Sequence, residues 1–314
     1  MFRWFDLQDV ANDLTSSVVA IGVFDGVHRG HQELISRAKD LATSANIALI
    51  AVTFDPHPRS VISGKSPLAL ASLDFRLTLL ERCGVDATLV LPFNKELSSL
   101  SPEEFIKKIL INTLKVKNEI VGDNFKFGFK ASGDTTFLKN YGQNHGFQTT
   151  IVTRFSDGEN PWSSTRARNH ILNGEVDKAA KVLGRYPRLE GTVVHGDHRG
   201  RQLGYPTANL ETSNLFAIPQ DGIYAGYLIR SKTSEVLPAA ISIGTNPTFD
   251  GKEKRIEAYA LDRTDLDLYG EQVSFDFVNK LRDSKKYDNV EDLLVQMAKD
   301  VEETRRLTSH TYSG

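Results

Sequence analysis

Short apolar runs in the first half of the chain alternate with longer segments whose apolar residues recur every three or four positions. The run from Ser17 to Val23 predicts a buried strand, and residues 31–46, after a glycine-rich turn, have the spacing of an amphipathic helix. The same spacing rules predict strands at 47–54, 87–93, 118–128 and 149–155 and helices at 73–84 and 102–114. Strands that alternate with helices favour a parallel, doubly wound sheet.

The second half has a different pattern. Two short helices are predicted within 163–184, each ended by a glycine. Beyond Arg185 the helical periodicity ends, and an amphipathic helix reappears only at 290–307. Between them, short β-like segments separated by turn residues predict a small antiparallel barrel, at 191–196, 222–230, 237–244, 255–262 and 271–279. A domain boundary is therefore predicted between Arg185 and Arg188.

Composition narrows the classes of partner. The chain is 40% hydrophobic and 25% charged, which is ordinary for a globular protein. Its 314 residues are enough for two domains, each with its own hydrophobic core. A formal net charge of -2 gives no basic field, so neither a nucleic-acid nor a membrane partner is expected. Cys83 is the only cysteine, which excludes an intrachain disulfide and a cysteine cluster for zinc or iron–sulfur.

The ends and apolar stretches of the chain bear on its location. The first residues lack a basic segment followed by an apolar run, and no later stretch has the length needed to span a bilayer. We therefore expect a cytoplasmic protein with small-molecule partners. The oligomeric state is not fixed by the sequence, and a homo-oligomer stays open.

The turn after the first predicted strand, GVFDGVHRGH, combines glycines with two histidines. Gly22, Gly26 and Gly30 let the backbone turn sharply and approach a ligand, while His28 and His31 lie three residues apart at a helix start. A helix N-terminus presents free amides and partial positive charge, and neighbouring imidazoles can donate hydrogen bonds to a phosphoryl oxygen. The pattern therefore predicts a phosphate site. A histidine that only caps the helix is the alternative.

A second candidate phosphate site is the segment SSTRAR. Ser163, Ser164, Thr165 and Arg168 supply hydroxyls and a guanidinium at the start of a predicted helix, which suits the remaining phosphates of a nucleotide. An ordinary Ser/Thr helix cap followed by surface arginines explains the same residues equally well.

Four segments of the first half, GVFDGVHRGH, TFDPHP, VGDNFKFG and SSTRAR, closely resemble the N-terminal module of the bacterial bifunctional riboflavin kinase/FAD synthetase family. Segments of the second half resemble the kinase module of that family in the same order: HGDHRGRQLGYPTANL, DGIYAGYL, ISIGTNPTF, IEAYALD and DLYGEQVSFDFV. The resemblance covers nearly the whole chain. Trp162 departs from it, since the family usually has an aliphatic residue before the serines.

The resemblance implies a fold and two reactions. Residues 1–186 would form a Rossmann-like nucleotidyltransferase domain that joins FMN to the AMP part of ATP, giving FAD and pyrophosphate. Residues 187–314 would form a riboflavin kinase barrel with a C-terminal helix, which makes FMN from riboflavin and ATP. Both reactions would use magnesium (Mg2+). The chain shows no GxxxxGK[ST] pattern, so the kinase would bind phosphates in another way.

The resemblance also implies roles in the adenylyltransferase half. His28 and His31 would contact the ATP phosphates near the point of attack, and Ser164, Thr165 and Arg168 would hold the β- and γ-phosphates. Asn124 matches a polar position near the nucleotide in the family, although by itself it is equally a turn asparagine. Further aromatic residues could stack on the flavin or belong to the core: Phe54, Phe125 and Phe127.

In the kinase half, the resemblance makes Glu257 the base that accepts the proton of the ribityl hydroxyl. Strand alternation puts Glu257 on one face with Tyr259, and a solvated face would make it a mere surface charge. Thr207 and Asn209, after a rigid Pro206, offer hard oxygen ligands for magnesium and are carried over as metal and nucleotide contacts. The glycine-rich and basic run 195–204 would be a flap over phosphates, or simply an exposed loop.

Two other functions compete with the bifunctional enzyme. One is a nucleotidyltransferase for another phosphorylated substrate, with the barrel as a binding domain. The other is a flavin or nucleotide sensor without turnover. The PTAN segment and Glu257 argue against the first of these. The simultaneous presence of all the candidate catalytic residues argues against the second, since a sensor does not need every one of them: His28, His31, Thr207, Asn209 and Glu257.

Overall fold

A computed structural model describes residues 1–158, 160–196, 203–245 and 254–312. The chain divides into two compact units: Met1–Pro67 with Ser72–Ser163, and Leu68–Ala71 with Ser164–Gly314. The division assigns the two helices before the barrel to the second unit, whereas the predicted domains are 1–186 and 187–314. That predicted boundary between domains stays a prediction.

The first unit is built on a six-stranded sheet in the order β1-β4-β3-β2-β5-β8, with every neighbouring pair parallel. Its strands are β1 Phe2–Trp4, β2 Ser17–Ile21, β3 Ala48–Asp55, β4 Ala87–Pro92, β5 Val116–Gly122 and β8 Gln148–Val152. A separate antiparallel pair consists of β6 Lys126–Phe127 and β7 Gly133–Asp134. The doubly wound parallel sheet expected from the alternating pattern is confirmed. The edge strand β1 was not predicted.

Helices connect these strands; the apolar spacing predicts the first, third and fifth of them, and the second, fourth and sixth were not predicted. They are α1 Arg29–Ala45, α2 Pro58–Ser63, α3 Leu73–Arg82, α4 Lys95–Ser99, α5 Pro102–Phe105 and α6 Thr135–His145. The segment Ile106–Thr113 continues α5 as a π-helix, so the predicted helix is present with a wider second half. Side-chain caps begin several of them, for example Ser72, which accepts a hydrogen bond from the backbone of Phe75.

The strand order places a crevice at one edge of the sheet. The central strand β2 is buried along its whole length, with β3 on one side and β5 on the other. The chain runs from β2 to β3 and β4 on one side and then crosses to β5 on the other, so the strand order reverses between β2 and β5. Ligands of open α/β sheets bind outside the carboxyl ends of the strands at such a point. The loop that carries the two candidate histidines follows β2 at this edge.

The second unit contains two helices, α7 Ser164–Leu172 and α8 Val176–Leu183, and a closed antiparallel barrel in the order β10-β13-β12-β11-β14-β9. Its strands are β9 Arg188–Val194, β10 Ala208–Glu211, β11 Gly222–Arg230, β12 Val236–Thr245, β13 Lys254–Ala260 and β14 Gln272–Arg282. The last helix, α9 Val290–Leu307, packs against β11 and β12. The predicted barrel and its C-terminal helix are confirmed. Strand β10 was not predicted.

Alternation along the barrel strands separates the interior from the outer face. In β13 the side chains of Ile256, Ala258 and Ala260 are buried, while Glu257 and Tyr259 on the other face are partly exposed. This is the arrangement that the sequence pattern predicts for Glu257.

Among the described residues, every helix is too short or too polar to cross a membrane.

Candidate active sites

The loop after β2 turns sharply before it enters α1. Phe24 has a left-handed backbone with φ of 51°, and Gly26 follows with φ of 73°, a conformation that favours glycine. His28 is then the N-cap of α1. The predicted strand, turn and helix start are thus present in the predicted order.

The side chain of His28 folds back over the helix start. Its Nδ1 accepts a hydrogen bond of 3.1 Å from the backbone N–H of Gly30. A Cβ at Gly30 would lie 3.1 Å from His28 Cε1, so this close approach favours a glycine. Because Nδ1 is an acceptor, the proton of the neutral ring is on Nε2, which can therefore donate to a ligand. His28 both caps the helix and presents a donor.

His31 stacks on His28 with ring centroids 3.7 Å apart and packs edge-on against Phe24 at 5.2 Å. Burial, and secondarily the neighbouring His28, hold the pKa of His31 well below its usual value. His31 is therefore a neutral imidazole near pH 7. Its buried Nδ1 has no hydrogen-bond partner among the described residues. The predicted pair of imidazoles is brought together in the structure.

Asn124 lies in the turn that follows β5, where the backbone N–H of Phe125 donates to the carbonyl of Gly122. Its side chain is exposed, and β5 is the direct neighbour of β2. The turn with Asn124 and the loop with His28 therefore leave the same edge of the sheet. Nucleotide contact by Asn124 stays a prediction.

The division between the units falls within the SSTRAR segment, with Ser163 in the first unit and the rest in the second. Ser164 and Thr165 form the first turn of α7, and Arg168 Nε donates a 2.6 Å hydrogen bond to the carbonyl of Leu68. Ser164, Thr165 and Arg168 are thus part of the second unit. Their roles stay predictions.

The aromatic candidates for flavin stacking are largely core residues. Phe54 and Phe127 are 8% and 7% exposed and belong to the apolar core under the sheet. Phe125 is partly buried and stacks on Phe127 at 5.4 Å. Trp162, which departs from the family pattern, lies beneath the guanidinium of Arg29 at 5.8 Å.

The barrel brings three predicted residues together on its outer face. The hydroxyl of Thr207 donates to Glu257 Oε2 at 3.2 Å, and Asn209 pairs with Glu257 across β10 and β13. Arg255 Nη1 lies 3.7 Å from Glu257 Oε1, so a cation flanks the other carboxylate oxygen. The side chain of Glu257 is 25% exposed and therefore stays accessible to a substrate. A carboxylate held in this way is more than a solvated surface charge.

A cavity extends beside Thr207 and Asn209 in the second unit. It is lined by Val193, Pro206, Thr207, Ala208, Asn209, Leu228, Ala258, Ala260, Arg263, Thr264, Leu266, Leu268 and Tyr269. The segment 263–269 was not predicted as part of a site. Its two leucines, Leu266 and Leu268, were the available signal, since leucine is among the residues most often buried.

The described start of the glycine-rich run, His195 and Gly196, lies beside this region. His195 stacks on Tyr269 of the cavity with ring centroids 3.9 Å apart. A Cβ at Gly196 would lie 2.4 Å from Asn209 Nδ2, so the backbone at Gly196 passes close to a candidate ligand. The middle of the predicted flap, residues 197–202, lies outside the described residues.

Known proteins resemble both halves of the chain. The sequence model of the FAD synthetase family matches residues 10–166, and that of the riboflavin kinase family matches residues 183–308. A bifunctional riboflavin kinase/FMN adenylyltransferase of Listeria monocytogenes is 36% identical over 294 residues, which are 92% of each chain. The enzyme of that name from Escherichia coli is 34% identical, over 95% of this chain and 93% of its own. The chain belongs to this bifunctional family.

A solved structure extends the similarity to three dimensions. A crystal structure from Streptococcus pneumoniae, described as a macrolide-efflux protein, has a TM-score of 0.88 and 34% sequence identity. The match covers 97% of this chain and 98% of the chain in that crystal structure. The fold is therefore shared over nearly the whole chain. The predicted family and fold class are confirmed, while the individual site residues stay predictions.

Proposed function

We propose that this protein makes FAD in two steps at two separate sites. The barrel phosphorylates riboflavin to FMN with ATP, and the parallel-sheet unit joins FMN to the AMP part of ATP with release of pyrophosphate. The observation that carries the proposal is the contact of Glu257 with Thr207, opposite Asn209, on a barrel that also belongs to the kinase family. An enzyme that only transferred AMP would not need this arrangement.

The kinase step needs a group that accepts a proton. The nucleophile is a neutral ribityl hydroxyl, which loses its proton as its oxygen bonds to the γ-phosphorus and ADP leaves. Glu257 is the group that we assign to this proton. The hydroxyl of Thr207 and the guanidinium of Arg255 hold the two carboxylate oxygens in a fixed orientation. Because the base is already oriented, less entropy is lost when the reacting groups are aligned.

The donor set beside Glu257 suits magnesium. Thr207 and Asn209 present a hydroxyl and an amide oxygen, which are the hard ligands that this ion prefers along with phosphate oxygens. The hydroxyl of Thr207 can give its hydrogen to Glu257 and still offer a lone pair to a cation. We assign Thr207 and Asn209 to the metal and to the ATP phosphates. A bound magnesium ion would neutralise charge on those phosphates.

The adenylyl-transfer step needs alignment more than a base. The phosphate of FMN is already an anion at neutral pH, and its oxygen bonds to the α-phosphorus as the bond to pyrophosphate breaks. His28 and His31 donate hydrogen bonds to the oxygens that gain charge. The neutral state of His31 and the Nε2 proton of His28 both fit this role. Two stacked imidazoles with centroids 3.7 Å apart would repel each other if both were protonated.

We assign the remaining predicted residues to the ATP of the adenylyl-transfer step. Gly26 and Gly30 let the backbone of the loop approach the phosphates, and Asn124 contacts the nucleotide from the neighbouring strand end. Ser164, Thr165 and Arg168 hold the β- and γ-phosphates through hydroxyls and a guanidinium at the first turn of α7. Family resemblance supports each of these assignments.

Its partners are small molecules: riboflavin, FMN and ATP. We place the enzyme in the cytoplasm, where ATP is abundant and where its single cysteine would stay reduced.

A product assay tests the proposal. The protein is incubated with riboflavin, ATP and magnesium, and FMN and FAD are separated by chromatography. We expect both products from the unmodified protein. We expect His28→Ala to accumulate FMN without FAD, and Glu257→Ala to make FAD from added FMN but no FMN from riboflavin.

Different outcomes separate the alternatives. FAD from added FMN with no phosphorylation of riboflavin would leave a nucleotidyltransferase with a binding barrel. Binding of flavin and ATP with no product at all would indicate a sensor. Loss of both reactions in either folded variant would contradict the assignment to two sites.

A further inference from the structure

Arg76 is an almost buried arginine in α3, with its side chain 9% exposed. Its Nη1 is shared among three acceptors at the carboxyl edge of the sheet. It donates to the carbonyl of Val23 at 2.9 Å, to the carbonyl of Phe54 at 3.2 Å and to the hydroxyl of Thr53 at 3.3 Å. One nitrogen thus connects α3 to the ends of two neighbouring strands.

The acceptors of Arg76 include the start of the histidine loop. Val23 lies two residues after β2, whereas Thr53 and Phe54 belong to the end of β3. The hydroxyl of Thr53 also donates to the carbonyl of Val23, at 2.9 Å. That single carbonyl therefore accepts two partly buried hydrogen bonds. The backbone of the loop is fixed at the point where it leaves the sheet.

The position of Val23 is transmitted directly to the histidines. The next residue, Phe24, has a left-handed backbone and packs edge-on against the ring of His31. His31 in turn stacks on His28. A shift of the Val23 carbonyl would therefore move the ring of Phe24 and the two imidazoles with it.

Burial of a guanidinium here opposes stability. Burial lowers the pKa of Arg76, and the nearby carboxylates of Asp55 and Asp25 only partly offset that effect. Asp55 Oδ1 lies 3.6 Å from Arg76 Nη2 and is itself half exposed. The buried Nε of Arg76 has no hydrogen-bond partner within the described parts of the chain. Apolar residues of similar volume commonly replace buried ion pairs without loss of stability. Stability alone therefore does not account for an arginine at this position.

We propose that Arg76 is a positioning residue for adenylyl transfer, which fixes the Val23 carbonyl and through it the loop that presents His28 and His31. The inference rests on the proposed adenylyltransferase function of the first unit. Arg76 acts through the backbone and not by contact with ATP. Its removal should therefore slow the chemical step more than it weakens substrate binding.

The test compares three variants in steady-state synthesis of FAD from FMN and ATP. Arg76→Met removes the donor and keeps an unbranched side chain of similar reach. Arg76→Lys keeps one nitrogen that can donate to all three acceptors. Arg82→Met, on an exposed position of the same helix, is the matched control.

We expect kcat of Arg76→Met for FAD synthesis to fall about 10- to 100-fold, as for a small misplacement of reacting groups. KM for FMN and ATP should change less than about threefold, and Arg76→Lys should recover most of kcat. Arg82→Met should match the unmodified protein. Phosphorylation of riboflavin by the same preparations should stay unchanged, which confirms that the second unit is intact.

Two further measurements keep the result interpretable. A melting temperature above the assay temperature shows, for each variant, that the first unit is folded during the assay. Thr53→Val removes the other donor to Val23 without a change of shape, and we expect a smaller fall in kcat in the same direction. Unchanged kcat in Arg76→Met, or a loss that appears only as a lower folded fraction, would overturn the proposal. If the unmodified protein made no FAD, the proposed function itself would fail instead.

Discussion

Glu119 gives the sharpest prediction about stability. It lies in the middle of β5, fully buried, with Val19 of β2 and Thr149 of β8 as its cross-strand neighbours. In the described part of the chain, neither oxygen of its carboxyl group has a hydrogen-bond partner, and the buried hydroxyl of Thr149 has none either. A charged carboxylate in this place would be neither solvated nor paired.

Burial raises the pKa of Glu119 from its usual value of 4.5 to about 8. Between these two values the folded state keeps a proton that the unfolded state has lost. The free energy of unfolding therefore falls as the pH rises, by about 1.4 kcal/mol per pH unit. The decrease in the free energy of unfolding begins near pH 4.5 and ends near pH 8. Over the whole interval it amounts to about 5 kcal/mol.

The substitution Glu119→Gln removes the titration and keeps the shape. The two tryptophans, Trp4 and Trp162, both belong to the first unit, so their fluorescence reports on its unfolding by urea. From pH 5.5 to pH 8 the variant should gain about 3 kcal/mol relative to the unmodified protein. Thr149→Val, which adds no charge, is the control and should follow the unmodified protein. Parallel pH dependences for Glu119→Gln and the unmodified chain would refute the reasoning.

Three further outcomes are expected. Thr207→Val should lower riboflavin phosphorylation about 10- to 100-fold and raise the magnesium concentration for half-maximal rate, with FAD synthesis from FMN unchanged; an unaltered magnesium dependence would contradict its role as a ligand. Gly226→Ala should destabilise the barrel by about 1–3 kcal/mol in thermal unfolding, because its Cβ would lie 2.1 Å from the carbonyl of Asp276. Gly244→Ala is the control, since its Cβ would meet no atom within 4 Å, and equal melting of both variants would refute the packing argument. Removal of magnesium with EDTA should stop both reactions, and its return should restore them; product formation in EDTA would contradict a metal requirement.

Most of the fold was predictable because buried strands are continuous apolar runs. Strands β2 and β3 and the long barrel strands have such runs, and the helices between them have clear apolar spacing. The missed elements lack these signals. Strand β1 has three residues at the sheet edge, β10 carries the polar Asn209, and α6 is rich in polar residues, so its position depends on tertiary contacts.

The candidate sites also differ in how far the sequence could predict them. His28 and His31 are three residues apart, so a local motif predicts their proximity. The contact of Thr207 with Glu257 joins residues 50 positions apart through the register of β10 and β13. Single-sequence patterns do not fix such a register, and only the family resemblance placed the two together. Arg76 had no signal at all, because an arginine in a helix is normally expected on its surface.

The central claim is that one chain has two independent sites, and a mixing experiment tests it most directly. His28→Ala and Glu257→Ala are each incubated alone with riboflavin, ATP and magnesium, and then together. Each variant alone should make no FAD, while the mixture should make it, because FMN released by His28→Ala reaches the intact adenylyltransferase site of Glu257→Ala. Absence of FAD from the mixture, although the first variant releases FMN and the second adenylylates added FMN, would contradict independent sites.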